Sequence, residues 1–303
     1  MIKKRKILLE ELSVSDSVKQ ITNEIYTQLL QKLKSIPSKI SDRNNCVIKK
    51  GSFQYYTIKG KKDSIPDFKV NFVVYYLEDE QEYSYLIKHK IINSGGYTEA
   101  EKKCIGVFLS MIGNEPSNDF KSTIMHEVNH IYQISNGQTK NKSLYDEVVK
   151  RVNSSNEEDR NIAMLLYFSF PTEQDSFISQ YYTYLDANDI SSKKAENFIE
   201  DDECPYCQFL DYYDYFEDIY QDIDEFKLKR YYGLTKDKLV RIINNTEKRF
   251  GTKIRKAIYR YIKEKKLRED VKHNYTSVGH PIQIKFLFEC YKKGISDFED
   301  DFI

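Results

Sequence analysis

Tryptophan is absent from the 303 residues, and proline (6), glycine (11) and cysteine (5) are scarce. Five unevenly spaced cysteines cannot form the framework of a small secreted scaffold, so the core has to be packed rather than stapled. Long apolar runs are also missing. Runs such as Phe72 to Leu77 and Ile105 to Leu109 are far shorter than the ~20 residues a membrane helix needs. Charge of one sign is not in excess, because 47 Lys and Arg balance 47 Asp and Glu. That removes the main argument for a nucleic-acid partner, which usually calls for a basic surplus to meet phosphate. The N-terminus, MIKKRKILLEELSVSDS, opens basic, but only Ile7 to Leu9 are apolar before Glu10 and Glu11. It lacks the hydrophobic region of a secretory signal, and the expectation is a protein kept in the cytoplasm, or in a virion if its source is viral. Neither a P-loop nor a GxGxxG pattern occurs, which leaves nucleotide chemistry without support.

What is present is an amphipathic and aromatic chain, 40% hydrophobic and 31% charged, with 25 tyrosines. Residues 14 to 35 repeat apolar side chains at three and four, which predicts a helix lying across a sheet and ending before Pro37. Runs of β-branched and aromatic residues then predict strands in CVIKKGSFQYYTIKG, FKVNFVVYYLEDE and YSYLIKHKII, arranged as a meander. A further strand is expected over Lys103 to Ile112, either central in the sheet or lining a groove. Beyond Gly137 the spacing is helical, with helices near 143–153, 156–169, 172–187, 205–228, 235–248 and 251–266. The polar segment 191–203 reads as a linker. The fold class expected is therefore α+β, with a catalytic domain over 1–190 and a helical C-terminal extension over 191–303.

One motif carries chemistry. HEVNH at 126–130 lies in a helical pattern, with Phe120, Ile124, Val128 and Ile131 as its packing face. Residues four apart share a helix face, so His126 and His130 can offer two imidazole nitrogens to one metal while Glu127 stands beside them as general base. Two imidazoles and a third ligand suit zinc and leave a position for water. The continuation HExxHxxGxxH of metzincins is excluded by Gln133 and Asn136, so the third ligand has to come from a second helix. Glu173, just inside a helix begun by Pro171 and 43 residues after His130, is the choice, with Asp175 the nearest substitute.

Over residues 104 to 186 the chain resembles the gluzincins, zinc metallopeptidases with an HExxH helix and a ligand Glu on a following helix. The stretch EQDSFISQYY is also similar to the ligand helix of ImmA/IrrE-type peptidases. The resemblance implies a zincin-like fold, Zn2+ as cofactor, a peptide or protein substrate, and an edge strand that pairs with that substrate. It departs at Gln174 and Ser176, where small residues are expected, and at Phe177, where larger gluzincins carry an Asp that orients a zinc-bound His. An oxyanion-stabilising group is expected among Tyr181, Tyr182, His273 and His280, with no choice among them. Two other readings are carried alongside: a non-catalytic structural protein, such as a viral-particle component, that keeps the fold, and a thiol redox protein acting through the CPYC of Cys204 and Cys207. The acidic residues Asp201 to Glu203 argue against the second.

Overall fold

A computed structural model describes residues 16–41, 46–57, 65–89, 95–99, 101–138 and 142–277. Helix α1 (Asp16–Ser35) is followed by strands β1 (Lys39–Ile40), β2 (Val47–Tyr55) and β3 (Phe68–Leu77), helix α2 (Glu80–Lys88), and strands β4 (Gly95–Glu99), β5 (Cys104–Ile112) and β6 (Glu115–Pro116). Ten α-helices are described in all; from residue 120 onward the chain is helical: α3 (Phe120–Ser135), α4 (Lys142–Arg151), α5 (Glu157–Ser169), α6 (Pro171–Ala187), α7 (Ser192–Glu196), α8 (Pro205–Ile219), α9 (Glu225–Tyr232) and α10 (Lys236–Ser277). The architecture is α+β, mostly helical, with one mixed sheet ordered β1-β2-β3-β5-β4 and β6 paired to β5. None of the described helices is long and apolar enough to cross a membrane.

The strand alternation explains the layers. Phe68, Val70, Phe72 and Val74 of β3 point to one face, where they pack with Val18, Ile25 and Leu29 of α1 and Ile124 and Val128 of α3. On the other face Tyr75 and Leu77 meet Leu86 of α2. The meander expectation fails at residues 80–88, which are helical. Asp79 accepts a hydrogen bond from the Glu82 backbone N–H, and the Glu82 carboxylate accepts one from the Glu78 N–H, so the turn is capped from both sides. With α2 as part of the connection, β3 and β5 run parallel, and β4 folds back antiparallel on the far side of β5. Residues 104–108 of β5 are therefore paired on both sides. Its groove role is excluded, and β4 is the edge strand.

Three further corrections concern the helical part. Residues 205–228 are split between α8 and α9, because Asp224 caps a new helix, accepting from the N–H groups of Phe226 and Lys227. The expected helices at 235–248 and 251–266 are a single one, α10. Gly251 does not end it. The residue is glycine because the Tyr206 ring crosses there: a Cβ would lie 2.8 Å from Tyr206 Oη and 2.9 Å from its Cζ. The segment 191–203 is no open linker. Ala195 and Phe198 are buried in a hydrophobic core that runs from Val148 to Ile262, so packing continues across residue 190.

Candidate metal centre

Helix α3 is buried along most of its length, wedged between the sheet and α6. Its residues His126, Glu127 and His130 are 7%, 4% and 6% exposed, and Glu173 of α6 is completely buried. Proline at the first position of α6 places Glu173 in the first turn, where the helix dipole favours a carboxylate. The three expected ligands meet there. His126 Nε2 lies 3.1 Å from His130 Nε2, and Glu173 Oε2 lies 3.6 and 3.2 Å from those two nitrogens. The group can hold a metal ion.

The chemistry of this donor set is set by what holds the rings from behind. Gln133 Nε2 donates to the Thr172 carbonyl at 2.9 Å, which turns its Oε1 toward His130 Nδ1, also at 2.9 Å. The proton of the neutral ring therefore sits on Nδ1. His126 Nδ1 faces Gln180 Oε1 at 2.9 Å in the same way. Both Nε2 lone pairs then share a small space with a carboxylate oxygen, three acceptors with no donor among them, and a cation satisfies such an arrangement. Tetrahedral ligation at ~2.0–2.1 Å spaces donors by roughly 3.3–3.5 Å, which the observed 3.1–3.6 Å brackets.

Glu127 does not join the three donors. The Thr98 hydroxyl of β4 donates to Glu127 Oε2 at 2.7 Å, so the edge strand orients this carboxylate. The approach of β4 requires Gly96, where a Cβ would come within 2.7 Å of Glu127 Cγ and 2.6 Å of the Gly106 carbonyl oxygen. Glu173 is steadied by Tyr145 of α4, whose hydroxyl donates to Oε1 at 3.1 Å. Burial and then the charge of Glu173 push the Tyr145 hydroxyl far above its ordinary value, so it stays a proton donor. Tyr167 is pushed up likewise, by burial first and then by Glu173.

Several sequence expectations are placed elsewhere. Phe177 packs its ring 4.9 Å from that of His126, and Gln180, seven residues after Glu173, holds the ring nitrogen for which the resemblance would use an Asp. Asp175 points away and pairs with Lys253. Tyr181 donates to Asp201 at 2.8 Å, and Tyr182 to Glu264, so neither hydroxyl is directed at the donor set. His280 lies outside the described residues, as does the side chain of His273. His89, expected in a strand, caps the C-terminus of α2. In CPYC, Cys204 is buried and Cys207 half-buried, and burial is the main cause that pushes both thiols up. Three basic residues of α10 make local contacts: Arg249 with Gln174 and Ser169, Lys253 with Asp175, and Arg260 with Glu264. The sequence reading missed Thr98, Gln133, Gln180 and Tyr145 as participants, and only Gln133, three residues after a ligand on the same helix face, had a spacing that signals it. Comparison with protein-family models, with curated proteins and with solved structures gives no match to this chain.

Proposed function

We propose that this protein is a zinc-dependent metallopeptidase of the gluzincin type, with His126, His130 and Glu173 as ligands and Glu127 as general base. The observation that carries the reading is the convergence of two imidazole nitrogens and one carboxylate oxygen at tetrahedral spacing, with an HExxH glutamate beside them on the same helix. Zinc, when bound, supplies a Lewis acid that polarises a carbonyl and lowers the pKa of water toward ~7. Glu127 takes the proton of the attacking water and returns it to the leaving amine. Thr98 keeps the carboxylate turned for that exchange, and Tyr145 holds Glu173 in place. An extended peptide would add to β4 on the side that is unpaired among the described residues, now that β5 is paired on both sides.

A second reading is favoured by the depth of burial: the metal would act as a structural staple joining α3 to α6, without turnover. Elemental analysis of purified protein, followed by a peptide-library assay on the wild type and on Glu127→Gln, separates the two. About one zinc per chain is expected, lost in His126→Ala and held much more weakly in Glu173→Ala. Glu127→Gln should keep its zinc and lose at least ~100-fold in kcat. A zinc-loaded wild type that cleaves nothing supports the staple, and a wild type offered zinc that holds none sinks the metal centre itself.

A further inference from the structure

We infer that Gln133 is a positioning residue that ties the HExxH helix to the third ligand, a role that rests on the metal-centre reading above. The residue is 3% exposed, and both ends of its amide are engaged across two helices: Oε1 on His130 Nδ1 and Nε2 on the carbonyl of Thr172, the residue before Glu173. No charged side chain of this size serves both contacts. A carboxylate accepts from the imidazole but repels the Thr172 carbonyl, and an ammonium does the reverse. Gln133 thus sets the tautomer of one ligand and anchors the α6 backbone at Thr172, immediately before the residue whose carboxylate is the third ligand. Ser176 Oγ stands 3.2 Å from the same His130 nitrogen and accepts from Asn129, so the ring has a second, longer contact there. The link to Thr172 has no such duplicate among the described contacts, and the main burden of Gln133 falls on Glu173 rather than on His130.

That division makes the inference testable through metal affinity without any activity assay. Gln133→Glu keeps the acceptor facing His130 and removes the donor facing Thr172. Zinc affinity would be measured by competition with a chromophoric chelator for wild type, Gln133→Glu, Glu173→Ala and the double variant, after circular dichroism shows each to be folded. Gln133→Glu should bind ~10–100-fold more weakly than wild type. In the Glu173→Ala background the same change should cost less than ~3-fold, because the damage travels through Glu173. The visible spectrum of the cobalt-loaded Gln133→Glu protein should shift toward that of Glu173→Ala. Gln133→Leu, which abolishes both contacts, is the check against compensation by the new carboxylate and should be at least as weak as Gln133→Glu. Wild-type affinity in Gln133→Glu, or an equal loss with and without Glu173, overturns the inference while leaving the metal centre standing. Absence of binding by the wild type overturns both.

Discussion

At the scale of single residues, the centre depends on backbone closeness as much as on donors. Gly96 lets β4 lie directly over Glu127, with the Thr98 hydroxyl reaching its carboxylate two residues later. Gly96→Ala would press a methyl group against the Gly106 carbonyl, which belongs to the backbone of the neighbouring strand and cannot swing away. The expected cost is about 1–3 kcal/mol in chemical denaturation, with β4 displaced and, on the proposed function, hydrolysis reduced more than metal content. An alanine variant as stable as wild type would show that the strand does not press on Glu127. His126, Glu127 and His130 were legible in the sequence because a fixed spacing on a helix fixes their relation in space. Glu173 was legible through Pro171, which marks a helix start. Gln180 and Tyr145 were not, since a glutamine or tyrosine acquires its role from an element it meets in the fold, and 25 tyrosines give no reason to prefer one.

At the scale of elements, periodicity located α1, β2, β3, β5 and the helices from α4 to α6, where one buried face dominates. It failed where local chemistry overrides alternation. Tyr83, Tyr85 and Ile87 alternate as a strand would, yet Asp79 and Glu82 cap a helix whose buried residue is Leu86. The division expected between 248 and 251 fails for the opposite reason, because Gly251 sits inside one continuous helix against a ring that only the fold brings near. Replacement by alanine should gain up to ~1 kcal/mol in helix propensity. The contact with Tyr206 should nevertheless make Gly251→Ala a net loss of about 1–2 kcal/mol, reversed in sign when Tyr206 is also truncated. Urea unfolding of the single and double variants reads this directly.

The α10–α6 contact also predicts an acid response. Burial alone would raise the Glu264 carboxyl, but hydrogen bonds from Tyr182 and Arg260 outweigh it and hold Glu264 below the usual carboxylate range. A carboxyl lowered in the folded state adds stability above its unfolded pKa of ~4.3, lost as pH falls through the lower folded value. Glu264→Gln should therefore be less stable than wild type by about 1–2 kcal/mol at pH 7, with the difference shrinking below pH 4. A gap that stays constant between pH 7 and 3 would remove the ionised carboxylate from the explanation.

For the whole molecule, the helical half holds the centre from behind. Leu239, Ile243, Phe250, Ile254 and Tyr261 of α10 are fully buried, Arg249 bonds Gln174 and the Ser169 carbonyl, and Tyr261 bonds the Leu185 carbonyl. At ~1.5–3 kcal/mol for each large apolar side chain, losing this helix removes as much as the ~5–15 kcal/mol by which a domain is stable. A chain ended at residue 235 is expected to lose cooperative unfolding and stoichiometric metal binding together, as calorimetry and metal titration would record; retention of both would make α10 an appendage. The same packing has a consequence for how the protein comes into being. Chains leave the ribosome N-terminus first, so every side chain of the centre, from Thr98 to Gln180, emerges well before the helix that seats α6. On the proposed metallopeptidase reading, the nascent chain would carry every ligand of the centre before the helix that seats α6 exists, and hydrolysis of neighbouring polypeptides would wait for the synthesis of α10.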